Sequence, residues 1–279
     1  MSAPTAEVVP GVYDIPAEQY HADPVPGGSL SSTGARKILA APAKFHHERE
    51  HGSPAPADHM EFGTAVHSIV LGDGPDVVCV DWDDWRKKDA QAERAEIRAA
   101  GGVPLLPAQY DQAQAMATAV HKHPRAAELL AAGEAEQTFI WRDDATGVWC
   151  RSRVDWLSPL AVTDYKTCSD ASLEAIQQSI YRWGYHQQAP WYLDGVRAVL
   201  GTADMKFEFI FQEKDPPYLV RTVQLSADAL LLGSARNRRA REVYAECQRT
   251  GIWPGYGETT HYLSLPPWAA DRDAQEYLS

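Results

Sequence analysis

Cysteine is scarce and scattered in this 279-residue chain: Cys79, Cys150, Cys168 and Cys247 stand far apart and form no C-x-x-C pair. Such spacing argues against a zinc module or a disulfide framework and leaves reduced, structural thiols. No apolar run approaches the roughly 20 residues that cross a bilayer, and no signal-like segment follows the first residues. The expectation is a soluble, cytoplasmic protein with no membrane partner. Basic residues are in the minority, 26 Lys and Arg against 38 Asp and Glu, for a net charge of −12. That is the wrong sign for a protein that coats nucleic acid over its whole surface, so positive charge for such a partner has to be focused. Internal repeats and a dividing linker are missing too. One domain is expected over 1–279, with an extended arm (1–28), a helical part (29–132), a core (133–250) and a tail rich in Trp and Pro (251–279).

What is present is ordinary globular composition, 44% hydrophobic and 23% charged, with an order of elements. Ser31 or Ser32 caps a helix that stops near Pro42, and a loop rich in His and Pro follows at 46–58. F-G-T-A-V-H-S-I-V-L is a helix carrying His67, and the polar 81–102 segment, with Arg86, Lys87 and Lys88, reads as a solvated helix or flap. Helices open at Pro107 and Pro124. Strands are expected at 136–141, 148–157 and 160–167. A helical region at 172–199 breaks near Gly184 and contains Pro190. Two more strands, 206–212 and 218–224, precede a long helix at about 227–249 that bears Arg236, Arg238, Arg239 and Arg241.

The chemistry gathers in W-C-R-S-R-V-D-W-L-S-P-L-A-V-T-D-Y-K-T, residues 149–167. Asp155 and Asp164 stand among apolar and β-branched neighbours, where a carboxylate is costly unless paired or bound to a metal. Alternation puts Asp164 and Lys166 on one face with Tyr165 turned away, and Arg151 and Arg153 on the face of Asp155. An isolated D-x-K is more often a structural ion pair than a catalytic one. A lone His67 on an apolar helix is more often a hydrogen-bonded core residue, and an arginine run is usually a solvated face. His46, His47, His51 and His59 lack ligand-quality spacing.

Four pieces in order change these odds: G-T-A-V-H (63–67), R-V-D-W (153–156), T-D-Y-K-T (163–167) and Q-A-P-W-Y (188–192). With them the chain resembles the PD-(D/E)XK nuclease superfamily, its RecB-like and RecE-like exonucleases, and above all the RecE-type exodeoxyribonuclease VIII domains of phages and prophages. The resemblance extends over L-S-S-T-G-A-R-K-I-L-A-A-P-A-K-F, R-K-K-D-A-Q-A-E-R, F-Q-E-K-D-P-P-Y and G-I-W-P-G-Y. It implies an α/β PD-(D/E)XK (restriction-endonuclease-like) core, a mixed central sheet flanked by helices, with a helical N-terminal part. It also implies a Mg²⁺-dependent exodeoxyribonuclease that digests linear duplex DNA from 5′ ends, leaving 3′ single strands for recombination in a bacterial host.

Carried over by position, His67, Asp155, Asp164 and the Tyr165 carbonyl are ligands for Mg²⁺ or Mn²⁺, two ions in all. Glu136 is either a ligand to the second ion or a structural carboxylate. Lys166 orients water and stabilises the transition state, while Gln188 and Tyr192 shape the site. Some relatives hold an iron–sulfur cluster through a cysteine before the proline of the first helix; Ala41 stands there, so no cluster is expected. Duplex DNA ends, a RecT-like annealing protein and further copies in a ring are the implied partners. Arg36, Lys37 and Lys44, with Arg86–Lys88, are the candidate basic patch. The alternatives are a nuclease of the same fold acting on single-stranded or flap DNA, or as an endonuclease in defence or CRISPR adaptation, and a catalytically silent DNA-binding protein.

Overall fold

The computed structural model describes residues 8–52, 58–202 and 204–278. In chain order, β1 (Gly11–Tyr13), α1 (Ala17–His21) and β2 (Leu30–Ser31) lead into α2 (Ser32–Ala40), α3 (Pro42–His51) and α4 (Asp58–Leu71). A small βαβ unit follows, β3 (Val77–Cys79), α5 (Lys88–Ala99) and β4 (Val103–Leu105), then α6 (Pro107–Lys122) and α7 (Pro124–Leu130). The core continues with β5 (Glu134–Arg142), β6 (Trp149–Leu157), β7 (Ala161–Cys168), α8 (Leu173–Arg182), α9 (Tyr185–Leu200), β8 (Lys206–Glu213) and β9 (Val220–Val223). It ends in α10 (Ala227–Thr250) and α11 (Pro267–Tyr277).

Local chemistry sets the boundaries. The Ser31 hydroxyl accepts from the Gly34 amide at 3.1 Å and caps α2. Pro42 cannot donate to a helix interior but suits a first turn, so α2 stops before it and α3 starts on it. The loop expected at 46–58 is therefore helical through His51. Phe45 anchors that helix against Tyr244 and Trp253, with ring centroids 5.7 and 6.0 Å apart. Pro107 and Pro124 open α6 and α7 in the same way.

The main sheet runs β1-β5-β6-β7-β8-β9, with β2 beside β6. Its ladders are antiparallel except β7/β8 and β2/β6, so the sheet is mixed. One face is covered by α2, α9 and α10, where Leu30, Ile38, Phe139, Trp191, Phe209 and Tyr244 are buried. The other carries α4, α6 and α7, with Val66, Met116, Leu129, Tyr165 and Ile210 buried. Each such side chain contributes about 1.5–3 kcal/mol. The polar α5 is docked: Arg94 and Arg98 both reach Glu61 on α4, at 2.8 and 2.7 Å.

The fold is thus the expected α/β arrangement of helices around a mixed central sheet. Its N-terminal part, though largely helical, also holds the two-stranded β3/β4 sheet, and the arm contributes β1 as an edge strand on β5.

Candidate active site

Three carboxylates stand in one row across three adjacent strands. In the β5/β6 ladder Ala135 faces Trp156 and Gln137 faces Val154, which sets Glu136 opposite Asp155. In the β6/β7 ladder Leu157 faces Val162 and Trp156 faces Thr163, and there pairing stops. The next rung in register would place Asp155 opposite Asp164. Facing residues of antiparallel strands share a face with Cβ atoms about 4.5–5.5 Å apart, close enough for like charges to repel. Neither rung forms.

The distortion is local and visible in the backbone. Glu136 adopts φ +53°, a left-handed conformation that costs an L-residue with a long side chain roughly 1–2 kcal/mol. Val154 packs in the first core and Trp156 in the second, although alternation puts residues two apart on one face. The same switch separates Phe139 from Ala135 on β5. The pleat turns over at this row, and the row is where the side chains converge.

His67, from α4, sits across the first two acids: Nε2 is 3.0 Å from Asp155 Oδ2 and Nδ1 is 3.4 Å from Glu136 Oε1. The Tyr165 amide donates to Asp155 Oδ2 at 2.9 Å, replacing a ladder bond with a side-chain one. Glu136 also pairs with Arg153, which donates further to the Ile15 carbonyl at 2.7 Å and Thr138 Oγ1 at 3.1 Å. Arg151 leaves the row and binds Asp23 of the arm at 3.0 Å.

Asp164 is completely buried. Gln188 Nε2, from α9, donates to its Oδ1 at 2.6 Å. Lys166 Nζ lies 2.6 Å from Oδ2, a buried ion pair. The ammonium also sits 5.2 Å from the centroid of the Tyr185 ring.

Electrostatics separate the two aspartates. Burial, then the charge of Asp155, pushes the Asp164 carboxyl up to about 7. Burial works on Asp155 in the same direction, but the charge and hydrogen bond of His67, with Lys166 behind them, hold it below the usual range. His67 is correspondingly raised: burial opposes its charge and is outweighed by Asp155 and Glu136. Burial would also discharge Lys166, yet Asp164 and Asp155 keep its ammonium well above the ordinary range. Glu136 is raised by burial and by Asp155, against His67 and Arg153.

Two aspartates, a glutamate, an imidazole and backbone oxygen are donor types that suit a hard cation. The like-charge row that opens two ladders, with Asp164 fully buried at its end, fits a divalent ion. Among the described residues no three His, Cys, Asp or Glu side chains are already gathered as a set that could hold a metal ion.

Seven of the eight expected site residues, His67, Glu136, Asp155, Asp164, Tyr165, Lys166 and Gln188, come together here. Tyr165 brings its backbone to the row, while its ring stands 6.0 Å from that of His67 and its hydroxyl donates to Gln212. Tyr192 lies one step out, a hydrogen-bond partner of Gln188, its ring 6.1 Å from Phe207, lining a cavity of about 450 Å³ with Arg49 and Arg151. Burial, then the charges of Tyr20, Asp164 and Asp155, raises its hydroxyl well above the ordinary value.

The expected basic patch is mostly spoken for. Lys37 pairs with Glu48, Lys44 Nζ is 2.8 Å from the Tyr256 hydroxyl, Arg86 is 3.8 Å from Asp84, and Lys87 lies over the Trp82 ring. Arg241 is held by Asp143 and Asp194, and Arg239 by Glu242. The histidines of α3 stack, His46 on Trp253 and His47 on His51; the side chain of His59 lies outside the described residues. One neighbour of the site escaped sequence reasoning, Tyr185 over Lys166, for which the Gly184 break just before it was the available signal. Arg153, which alternation put on the face of Asp155, balances the carboxylate of Glu136.

A search of curated proteins returns no match to the chain. Among solved structures, a protein of Eubacterium rectale provisionally named as an exonuclease superposes with a TM-score of 0.63 at 15% identity, over 94% of this chain and 99% of that one. At that identity the likeness speaks for the fold. The sequence matches a described family over residues 31–266, the stretch that holds every element of the site, and the chain belongs to that family, the PDDEXK-like domain of unknown function (DUF3799).

Proposed function

We propose that this protein is a divalent-metal-dependent exodeoxyribonuclease that hydrolyses linear duplex DNA from its 5′ ends and leaves 3′ single strands. The observation that carries the reading is the carboxylate row Glu136–Asp155–Asp164 with Lys166 and Gln188 fixed on Asp164. A Mg²⁺ or Mn²⁺ ion held by Asp155, Asp164, His67 and the Tyr165 carbonyl, with Glu136 beside a second ion, supplies a Lewis acid for the phosphoryl oxygen and an acidified water.

The chain's own groups then have distinct tasks. Gln188 fixes Asp164 through Oδ1, while Oδ2 is paired with Lys166. Lys166, kept charged by two carboxylates and walled by the Tyr185 ring, faces negative charge as it builds on the scissile phosphate. His67 holds Asp155 and Glu136 in line. Copies in a ring would keep an acidic protein on its DNA, and a single-strand annealing protein would take up the 3′ strand.

Digestion of end-labelled linear duplex in Mg²⁺ tests this reading. Wild type releases nucleotides from 5′ ends and spares closed circles, chelation abolishes the reaction, and Lys166→Ala slows it at least about 100-fold. Cutting of closed circles overturns the exonuclease assignment, and an unimpaired Lys166→Ala overturns the site.

A further inference from the structure

Between α8 and α9 the chain reads Tyr181-Arg182-Trp183-Gly184-Tyr185. Its last residue walls Lys166, but Tyr181 and Trp183 are 78% and 55% exposed, the large aromatics most open to solvent outside the C-terminal tail. They are held rather than loose. The Tyr181 ring is stacked on His186 at 6.0 Å and 12°, and the His186 Nδ1 is 3.2 Å from the Ile180 carbonyl. The Arg182 guanidinium lies over Trp183 at 5.2 Å. Trp183 and Tyr185 are two residues apart, so their Cα atoms are separated by at most about 7 Å. The exposed rings therefore lie on the same turn as the residue that walls Lys166, the turn that Arg36 crosses.

Arg36 of α2 crosses this turn. Gly184 has φ +71°, and a Cβ placed on it would meet Arg36 Cδ at 2.5 Å, so the absence of a side chain there is what admits the arginine. Nη2 donates to Thr33 Oγ1 at 3.0 Å, while Nη1 is buried and donates to no acceptor among the described residues. An arginine N–H without an acceptor, beside a site for phosphodiesters, has the geometry of a phosphate contact. Two exposed rings next to it offer surfaces for bases.

On the nuclease reading above, which this inference deepens, we propose that Arg36, Tyr181 and Trp183 form a subsite for an unpaired nucleotide adjoining the scissile phosphate. Arg36 takes a backbone phosphate, and the rings stack on bases frayed from the duplex end. Base faces are free only in unpaired strands, so the subsite selects single-stranded over fully paired DNA at the rim of the site. Stacking contributes enough per base to change affinity by roughly 5- to 150-fold.

The test is equilibrium binding to the full chain in chelator, by fluorescence anisotropy, of a labelled 12-nucleotide single strand and of a blunt hairpin duplex. The double variant Tyr181→Ala/Trp183→Ala is expected to lower the single-strand to duplex affinity ratio at least tenfold. Arg36→Gln is expected to reduce the salt dependence of single-strand binding by about 0.7 in log–log slope, the signature of one lost phosphate contact. That slope reports the contact independently of any loss of folded protein. An unchanged ratio together with an unchanged slope, in a wild type that binds and cuts DNA, overturns the subsite and leaves the nuclease reading standing. A wild type that neither binds nor cuts overturns both. Dissociation of an oligomer by the double variant, with DNA binding intact, assigns the rings to a protein interface and overturns the subsite.

Discussion

Gly233 on α10 faces a defect that the sequence builds into α9. Pro190, in the interior of α9, has no N–H, so the carbonyl of His186 four residues earlier loses its helical donor. The partner helix meets that carbonyl with glycine. A Cβ on Gly233 would overlap the His186 oxygen outright, lie 2.6 Å from its carbon and 3.0 Å from Pro190 Cγ. Carbon atoms rest about 3.5–4.0 Å apart, so Gly233→Ala has to separate the two helices by about 1 Å. The opposing atoms are backbone and a proline ring, which cannot swing aside. Overpacking of this kind costs about 3 kcal/mol at the top of its range, and the better helix propensity of alanine returns about 1 kcal/mol. The net loss of about 2 kcal/mol lowers the Tm by roughly 4–8 °C for a chain of this size. Gln188 and Tyr192 flank Pro190, so cleavage should fall with the displacement, by about tenfold or more. Thermal and urea unfolding, with cleavage measured well below the Tm, check both effects. An unchanged or raised Tm would refute the claim that glycine is required here.

Two further outcomes follow from particular contacts. Glu208 is buried and bound by Arg125 at 3.0 and 2.8 Å and by Gln224 at 2.8 Å; burial raises its carboxyl, and these hydrogen bonds outweigh it to hold the net value below the ordinary range. A depressed carboxyl stabilises above its unfolded value of about 4.3 and loses that contribution as pH falls through the lower folded one. The Tm deficit of Glu208→Gln should thus be greatest at pH 6–7 and shrink below about pH 4, with thermal scans across pH as the measurement. Gln188→Ala frees Asp164 Oδ1, and isothermal titration should show Mg²⁺ affinity weakened by about 10- to 100-fold.

Some of the site was legible in the sequence for a physical reason. Alternation put Asp164 and Lys166 side by side with Tyr165 turned away, and that is how β7 presents them, because β7 keeps a regular pleat. β5 and β6 do not. Their pleat turns over at Glu136 and Asp155, so no face argument from spacing alone could align Glu136 with Asp155, nor separate Arg153, which reaches Glu136, from Arg151, which binds the arm. The docking of α5 rests on Glu61 meeting Arg94 and Arg98, pairs 33 and 37 residues apart that short-range periodicity does not see. Arg36 was read as one of a basic cluster, whereas its place beside Tyr185 depends on a glycine about 150 residues downstream. Convergence of His67, Asp155, Asp164 and Gln188 came from the order of motifs, and only the strand register shows how they meet.

Glu136 is the residue whose cost most needs a cause. Its left-handed backbone costs roughly 1–2 kcal/mol, and its carboxyl is raised by burial and by Asp155 even with His67 and Arg153 beside it. A purely structural partner for Arg153 would not require the strained conformation, since Thr138 and the Ile15 carbonyl already accept from that guanidinium. Two substitutions separate backbone from charge. Glu136→Gln keeps the strain and removes the carboxylate; Glu136→Gly removes both. Glu136→Gly is expected to melt about 2–8 °C above Glu136→Gln, the strain converted at roughly 2–4 °C per kcal/mol. Both should weaken binding of the second of two Mn²⁺ ions in a calorimetric titration while leaving the first. Equal melting temperatures would mean that the φ angle carries no cost, and full occupancy by two ions in both variants would return Glu136 to a structural role beside Arg153.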